Sequence, residues 1–262
     1  MSSATTNAPR AAFGVGALIS ESLSLFFSNI VKICMIAFVP SVVGLVITGL
    51  IVGFGVALGT EVQDFSRSGA ILGFVMTMLI TMLIYGVVLG MMVLFAYDAK
   101  MGRVGALTSY FSPALRHAVP IAVLAIVVGI LFGLGMMLFI IPGLWIYAVC
   151  SACIPAVIIE KAGFGALGRS AQLTKGYRWP IVGAIIVFGI IIVLLSMVAG
   201  FGGGLIGSMI GGPVGIVLNL LVTALITAFT YGLSAIFIAL VYARLREIKE
   251  GVSVSDLAKV FE

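Results

Sequence analysis

Residues 155–176 read Pro155-Ala156-Val157-Ile158-Ile159-Glu160-Lys161-Ala162-Gly163-Phe164-Gly165-Ala166-Leu167-Gly168-Arg169-Ser170-Ala171-Gln172-Leu173-Thr174-Lys175-Gly176. This polar connection is framed by two apolar runs, 144–159 before it and 179–203 after it. A run of roughly 20 mostly apolar residues is long enough to cross the hydrocarbon core as a helix. The stretch therefore joins two membrane spans, and the same alternation of apolar run and polar connection extends through the chain in both directions.

Composition leads to the same class. The chain has 262 residues, of which 62% are hydrophobic and 9% charged. A soluble domain carries about 25% charged residues, so too little polar material is present to cover a water-facing globule. The runs do not alternate apolar and polar residues as a membrane β-barrel strand must. The expected fold is all-α and polytopic, with spans at about 30–59, 70–97, 119–141, 144–159, 179–203 and 213–242. The membrane domain covers 13–245. Residues 1–12 form a disordered cytoplasmic tail and 246–262 a second cytoplasmic tail. The first apolar core is too long for a cleaved signal peptide.

Charge sets the orientation. Of the 14 Lys and Arg residues, only Lys32 and Arg67 lie outside the N-terminal tail, the connections 98–117 and 160–178 and the charged C-terminal segment 243–262. Basic residues accumulate on the cytoplasmic side, which places both termini there. The net charge of +5 is spread along these flanks. No basic domain exists to hold nucleic acid.

A repeat is visible. Gly-Ala-Leu occurs at Gly16, Gly105 and Gly165, each time followed by a semi-polar segment and then a span. In the first segment, Val15, Leu18, Ile19, Leu23, Phe26 and Phe27 recur at helical spacing. The pattern predicts three copies of one unit, a cytoplasmic amphipathic helix followed by an antiparallel transmembrane hairpin.

Groups able to carry chemistry are few. No Asp, Glu, Lys, Arg or His lies in the middle of a span. Such groups are costly in the membrane and mark proton relays and ion paths, so proton pumping is not expected. One histidine, His117, cannot form a zinc site of three or four ligands. Cys150 and Cys153 offer two thiols on one helix face and are read as small packing residues. No catalytic residue, metal or cofactor is expected. Pro40 and Pro155 predict local bends. Pro142-Gly143 predicts a tight reversal, and the segment 204–212 a Gly-rich turn.

Glycine spacing nominates packing faces at Gly86 and Gly90, at Gly129 and Gly133, and at Gly203, Gly207, Gly211 and Gly215. Helices in lipid associate through such small-residue faces, within the bundle or between chains of a homo-oligomer. Asn219 is read as an interhelical hydrogen bond. Arg103, Arg116, Lys161, Arg169, Lys175, Arg178, Arg244 and Arg246 are expected to contact anionic inner-leaflet lipid headgroups or a membrane protein partner.

Two motifs resemble a known family. Pro155 to Glu160 and Ala166 to Gly176 match Pro-x-x-x-x-Glu and Ala-Leu-x-Arg-Ser-x-x-Leu-Thr-Lys-Gly. Tyr242 to Gly251 is close to Tyr-x-x-Leu-Arg-x-x-Lys-Glu-Gly. Together they resemble the membrane domain found beside glycerophosphodiester phosphodiesterases and related uncharacterised bacterial multi-pass proteins. The resemblance covers the second half of the chain closely and the first half in layout. It implies a bacterial cytoplasmic (inner) membrane protein without phosphodiesterase activity, because that activity belongs to a separate soluble barrel. The function expected from these readings is that of a non-enzymatic accessory or structural subunit. The alternative is a transporter or channel for a small apolar or lipidic solute.

Overall fold

The computed structural model describes residues 13–57, 61–66, 69–210 and 212–251. Within them all regular structure is helical. A chain in hydrocarbon must satisfy its backbone polar groups internally, and the helix does this within each segment. Six helical stretches are long and apolar enough to cross a membrane: Ile30–Val52, Ala70–Lys100, Ala118–Leu138, Ile140–Ile159, Arg178–Val198 and Ala228–Glu250.

The elements follow in order. α1 (Val15–Ser28) leads into α2 (Ile30–Val52), and a one-turn helix α3 (Phe54–Ala57) follows. α4 is Ala70–Lys100, α5 Leu107–Arg116 and α6 Ala118–Leu138. The fourth candidate span is divided into α7 (Ile140–Cys150) and α8 (Cys153–Ile159). A 3₁₀ turn, Gly163–Gly165, precedes α9 (Ala166–Thr174), and α10 (Arg178–Ile210) and α11 (Gly212–Glu250) complete the chain. α1, α5 and α9 are short helices that each precede a long one. Each short helix turns one face inward at three- and four-residue spacing: Leu18, Ser22 and Phe26 in α1, Tyr110 and Ala114 in α5, Ala166, Ser170, Leu173 and Thr174 in α9.

Several boundaries differ from the sequence reading, for local reasons. α2 stops at Val52 because Gly53 takes φ 98°, a conformation open to glycine. The reversal between α6 and α7 lies at Phe139, which is extended, and not at Pro142-Gly143. Pro142 instead sits in the first turn of α7, where its missing N–H would have had no helical partner. Residues 204–210, expected in a turn, continue α10. α11 runs on through Tyr242 to Glu250, so 246–250 belong to the helix. The tails at 1–12 and 252–262, Gly211, the surroundings of Gly203, Gly207 and Gly215, and the Asn219 side chain lie outside the described residues.

α11 is the organising helix. It contacts α1, α2, α4, α8, α9 and α10, and 67% of its apolar window is buried against 22% for that of α6. Leu233, Ile236, Leu240, Tyr242 and Leu245 are fully enclosed. On α10, Phe188 stacks on Phe237 at 4.1 Å. Large apolar side chains elsewhere point outward, including Leu50, Leu72, Met137, Phe139, Val198 and Met209. In water such a surface would be costly; against lipid tails it is not.

The glycines divide into two kinds. A Cβ on Gly86 would meet the Ala118 carbonyl at 3.4 Å, and one on Gly90 would meet Ile158 at 2.7 Å, so both face close neighbours inside the bundle. Gly129 and Gly133 face open space. The tight α6–α7 approach is made by Gly135 and Gly143 instead: a Cβ on Gly135 would lie 2.8 Å from the Gly143 Cα. Backbone cannot move aside as a side-chain tip can. Gly135→Ala should therefore cost about 1–3 kcal/mol of stability, while Gly129→Ala leaves it unchanged or slightly raised. Thermal unfolding of the two variants in the same detergent checks this, and equal melting temperatures would sink it.

Candidate functional site

The site begins with a broken helix. Pro155 has no N–H to give to the carbonyl of Ser151, and its ring crowds that carbonyl. The helix parts between Cys150 and Cys153 accordingly. An unpaired backbone group buried away from water is costly. Ser170 of α9, itself fully buried, fills the gap. Its hydroxyl donates to the Val149 carbonyl at 2.6 Å and accepts the Ala152 N–H at 3.1 Å. Thr174 then donates to the Ser170 carbonyl at 2.9 Å.

α8 ends in a turn that fixes Glu160. The Ala162 N–H reaches back to the Ala156 carbonyl at 3.2 Å, and Lys161 takes φ 56°. This is a left-handed helix cap, with a lysine in the position where glycine is usual. α9 ends with Gly176 at φ 87°, which turns the chain into α10.

Glu160 then collects partners from two other elements. Arg169 grips the carboxylate with two hydrogen bonds, Nε to Oε2 at 2.7 Å and Nη2 to Oε1 at 3.0 Å. The Tyr242 hydroxyl, from the enclosed side of α11, donates to Oε1 at 2.6 Å. Arg169 also pairs with Glu250. Arg246 holds Glu250 at 2.8 Å, lies 3.9 Å from Glu160, and its guanidinium carbon is 5.8 Å from the centre of the Tyr242 ring. Two carboxylates and two guanidinium groups thus cancel in charge. Burial alone would raise the Glu160 pKa. The hydrogen bonds from Arg169 and Tyr242 and the charges of Arg169 and Arg246 outweigh it, and hold the carboxyl below its ordinary range. The Glu160 carboxylate in turn raises the pKa of Arg169. Glu160 is therefore ionised near neutral pH, with its oxygens already accepting from three donors.

The motif residues are accounted for by this geometry. Ala166 and Leu173 are buried, Arg169 and Ser170 bond in opposite directions, and Tyr242, Arg246 and Glu250 receive α8 and α9 on α11. Arg169 and Arg246, expected at lipid headgroups or a partner, are engaged by carboxylates. Arg244 pairs with Glu247 at 2.6 Å. Lys100 pairs with Glu21 at 3.1 Å. Arg116, Lys161 and Lys175 are exposed, Arg103 lies near Asp98, and Arg178 stacks on Trp145. Sequence reading missed the role of Tyr242 as a donor to Glu160; its place at the head of the second motif was the available signal.

Cys150 and Cys153 are free thiols flanking the helix break. They line an apolar cavity of about 200 Å³ with Leu124, Phe132 and Tyr147. Among the described residues no three His, Cys, Asp or Glu gather as metal ligands. No family model, curated protein or solved structure matches the chain.

Two outcomes follow from the site. Ser170→Ala leaves the Val149 carbonyl and the Ala152 N–H without their partner and should cost about 1–3 kcal/mol; an unaltered melting temperature would remove Ser170 from its assigned role. Glu160 has a depressed folded pKa, so its contribution is present above the unfolded value of about 4.3 and is lost as pH falls through the folded value. Melting temperatures should drop as pH is lowered from 5, and Glu160→Gln should flatten part of that drop while lowering stability at neutral pH.

Proposed function

We propose that the protein is a non-enzymatic, six-span protein of a bacterial cytoplasmic membrane that acts as an accessory or structural subunit and engages anionic lipid of the inner leaflet. In this reading the spans form three hairpins, each preceded by a cytoplasmic amphipathic helix, with both termini cytoplasmic. The observation that carries it is the closure of the polar cluster. Glu160, Arg169, Tyr242, Arg246 and Glu250 direct their donors and acceptors at one another, which suits a joint between helices rather than a reaction centre. The connections also retain exposed cations, among them Arg116, Lys161 and Lys175, suited to lipid phosphates. The two motifs within the cluster support placing the chain beside the membrane domains associated with glycerophosphodiester phosphodiesterases.

A second reading, carriage of a small apolar or lipidic solute, is favoured by one feature. A cavity of about 230 Å³, bordered by Tyr85, Met92, Ile121 and Tyr231, shares Ala125 with the cavity beside the thiols. The two readings separate on the native mass of the protein gently extracted from its own membrane. A stoichiometric companion or retained anionic lipid supports the accessory reading. A bare chain, with neither, rejects it and makes solute flux the property to assay.

A further inference from the structure

Once the paired charges are set aside, three cations remain near the turn from α9 into α10 and the end of α11. Lys175 and Arg178 flank Tyr177 in the turn from α9 into α10. Lys249, on the last turn of α11, places its ammonium 5.7 Å from the centre of the Tyr177 ring. The described acidic residues of this region are engaged elsewhere: Glu160 and Glu250 by Arg169 and Arg246, Glu247 by Arg244. Among the described residues, none of the three cations forms an ion pair with a carboxylate.

Arg178 is the best held of the three and the least satisfied. Its guanidinium lies 4.6 Å from the centre of the Trp145 ring. Of its five N–H donors, one makes a long contact, Nη2 to the Ala171 carbonyl at 3.4 Å. Its Nε is buried and has no hydrogen-bond partner. A guanidinium fixed by an aromatic face has little orientational freedom left to lose when an anion arrives. Trp179, 64% exposed, adjoins it on α10. Tryptophan is enriched where hydrocarbon meets headgroup, a setting in which these cations meet lipid phosphates.

We propose that Lys175 and Arg178, on either side of Tyr177 in sequence, and Lys249, whose ammonium lies toward the Tyr177 ring, bind an anionic phosphate group carried by a bilayer lipid, with Arg178 as the anchor. This rests on the lipid-engaging part of the function proposed above and narrows it to one site. The lysines supply compact charge, and the guanidinium supplies directed donors to the phosphate oxygens. Affinity should fall with added salt, because the site lies at the water boundary.

The test uses the full chain in a neutral detergent, titrated with phosphatidylglycerol or phosphatidylcholine and read by native mass spectrometry. Wild type should retain phosphatidylglycerol preferentially. Arg178→Gln should weaken that retention about tenfold, Arg178→Lys less, and Arg116→Gln, which removes an exposed cation elsewhere, should leave it unchanged. A paired Lys175→Gln, Lys249→Gln variant reads the same site if Arg178→Gln does not fold. Inorganic phosphate forms the second arm. Displacement of bound phosphatidylglycerol by millimolar phosphate, lost in Arg178→Gln, supports a site that holds the lipid through its phosphate, whereas phosphate binding at Arg178 with no lipid retained overturns the lipid as its source. Preferential lipid retention that all the variants share overturns the site and leaves the broader lipid reading standing. No preference for the anionic lipid in wild type overturns both.

Discussion

The structure depends on one carboxylate. Glu160 stands where α8 ends, and it draws Arg169 from α9 and Tyr242 from α11 onto its two oxygens. In a bilayer the apolar effect does little to bring helices together, since lipid tails solvate leucine as well as another helix does. Polar contacts and close packing must do it instead. The cluster couples the end of the fourth span, the helix before the fifth and the end of the sixth, so three parts of the chain meet at a single charge.

The energetics favour a closed cluster over separate pairs. The side chains of Glu160 and Arg169 are 21% and 29% exposed, enough burial to strengthen their attraction and enough water to limit the desolvation cost. Each member compensates another, so removing one leaves a charge partly buried and short of a partner. Ser170 extends the same economy to the backbone: one hydroxyl serves both an acceptor and a donor at a break that Pro155 imposes. Arg169 and Ser170 are adjacent in sequence but bond to opposite ends of α8, and this adjacency sets the position of α9 along it.

Much of this was legible in the chain, and the limits have physical causes. The apolar runs disclosed six candidate spans because hydrocarbon thickness fixes their length. Pro155 disclosed a bend because a missing N–H acts locally. The packing glycines were harder to read. Gly129 and Gly133 have the favoured spacing yet face open space, while Gly135 and Gly143, on different helices, make the approach. Spacing along one helix says which residues share a face, and it is silent on which face finds a neighbour. The reversal at Phe139 escaped notice because Pro142 fits the first turn of a helix as readily as a turn between helices. The cluster was half visible. Its motifs were evident, but Arg169 and Arg246 look like any other basic flank until their carboxylates are located in space.

That last point changes how the positive charge of the chain is read. A count of basic residues treats each arginine and lysine alike, as topology signal. In the folded chain two sets of them stand apart. Arg169, Arg246, Arg244 and Lys100 are matched by carboxylates and hold helices or helix ends together. Among the described residues Arg178, Lys175 and Lys249 form no ion pair; Lys175 and Arg178 flank Tyr177 in sequence, Lys249 lies toward its ring, and the exposed Trp179 adjoins them. Among the described residues, ion pairs engage the carboxylates close to α9 and the end of α11. An anion from outside the chain can meet the cations left over, and lipid phosphate is the one we propose.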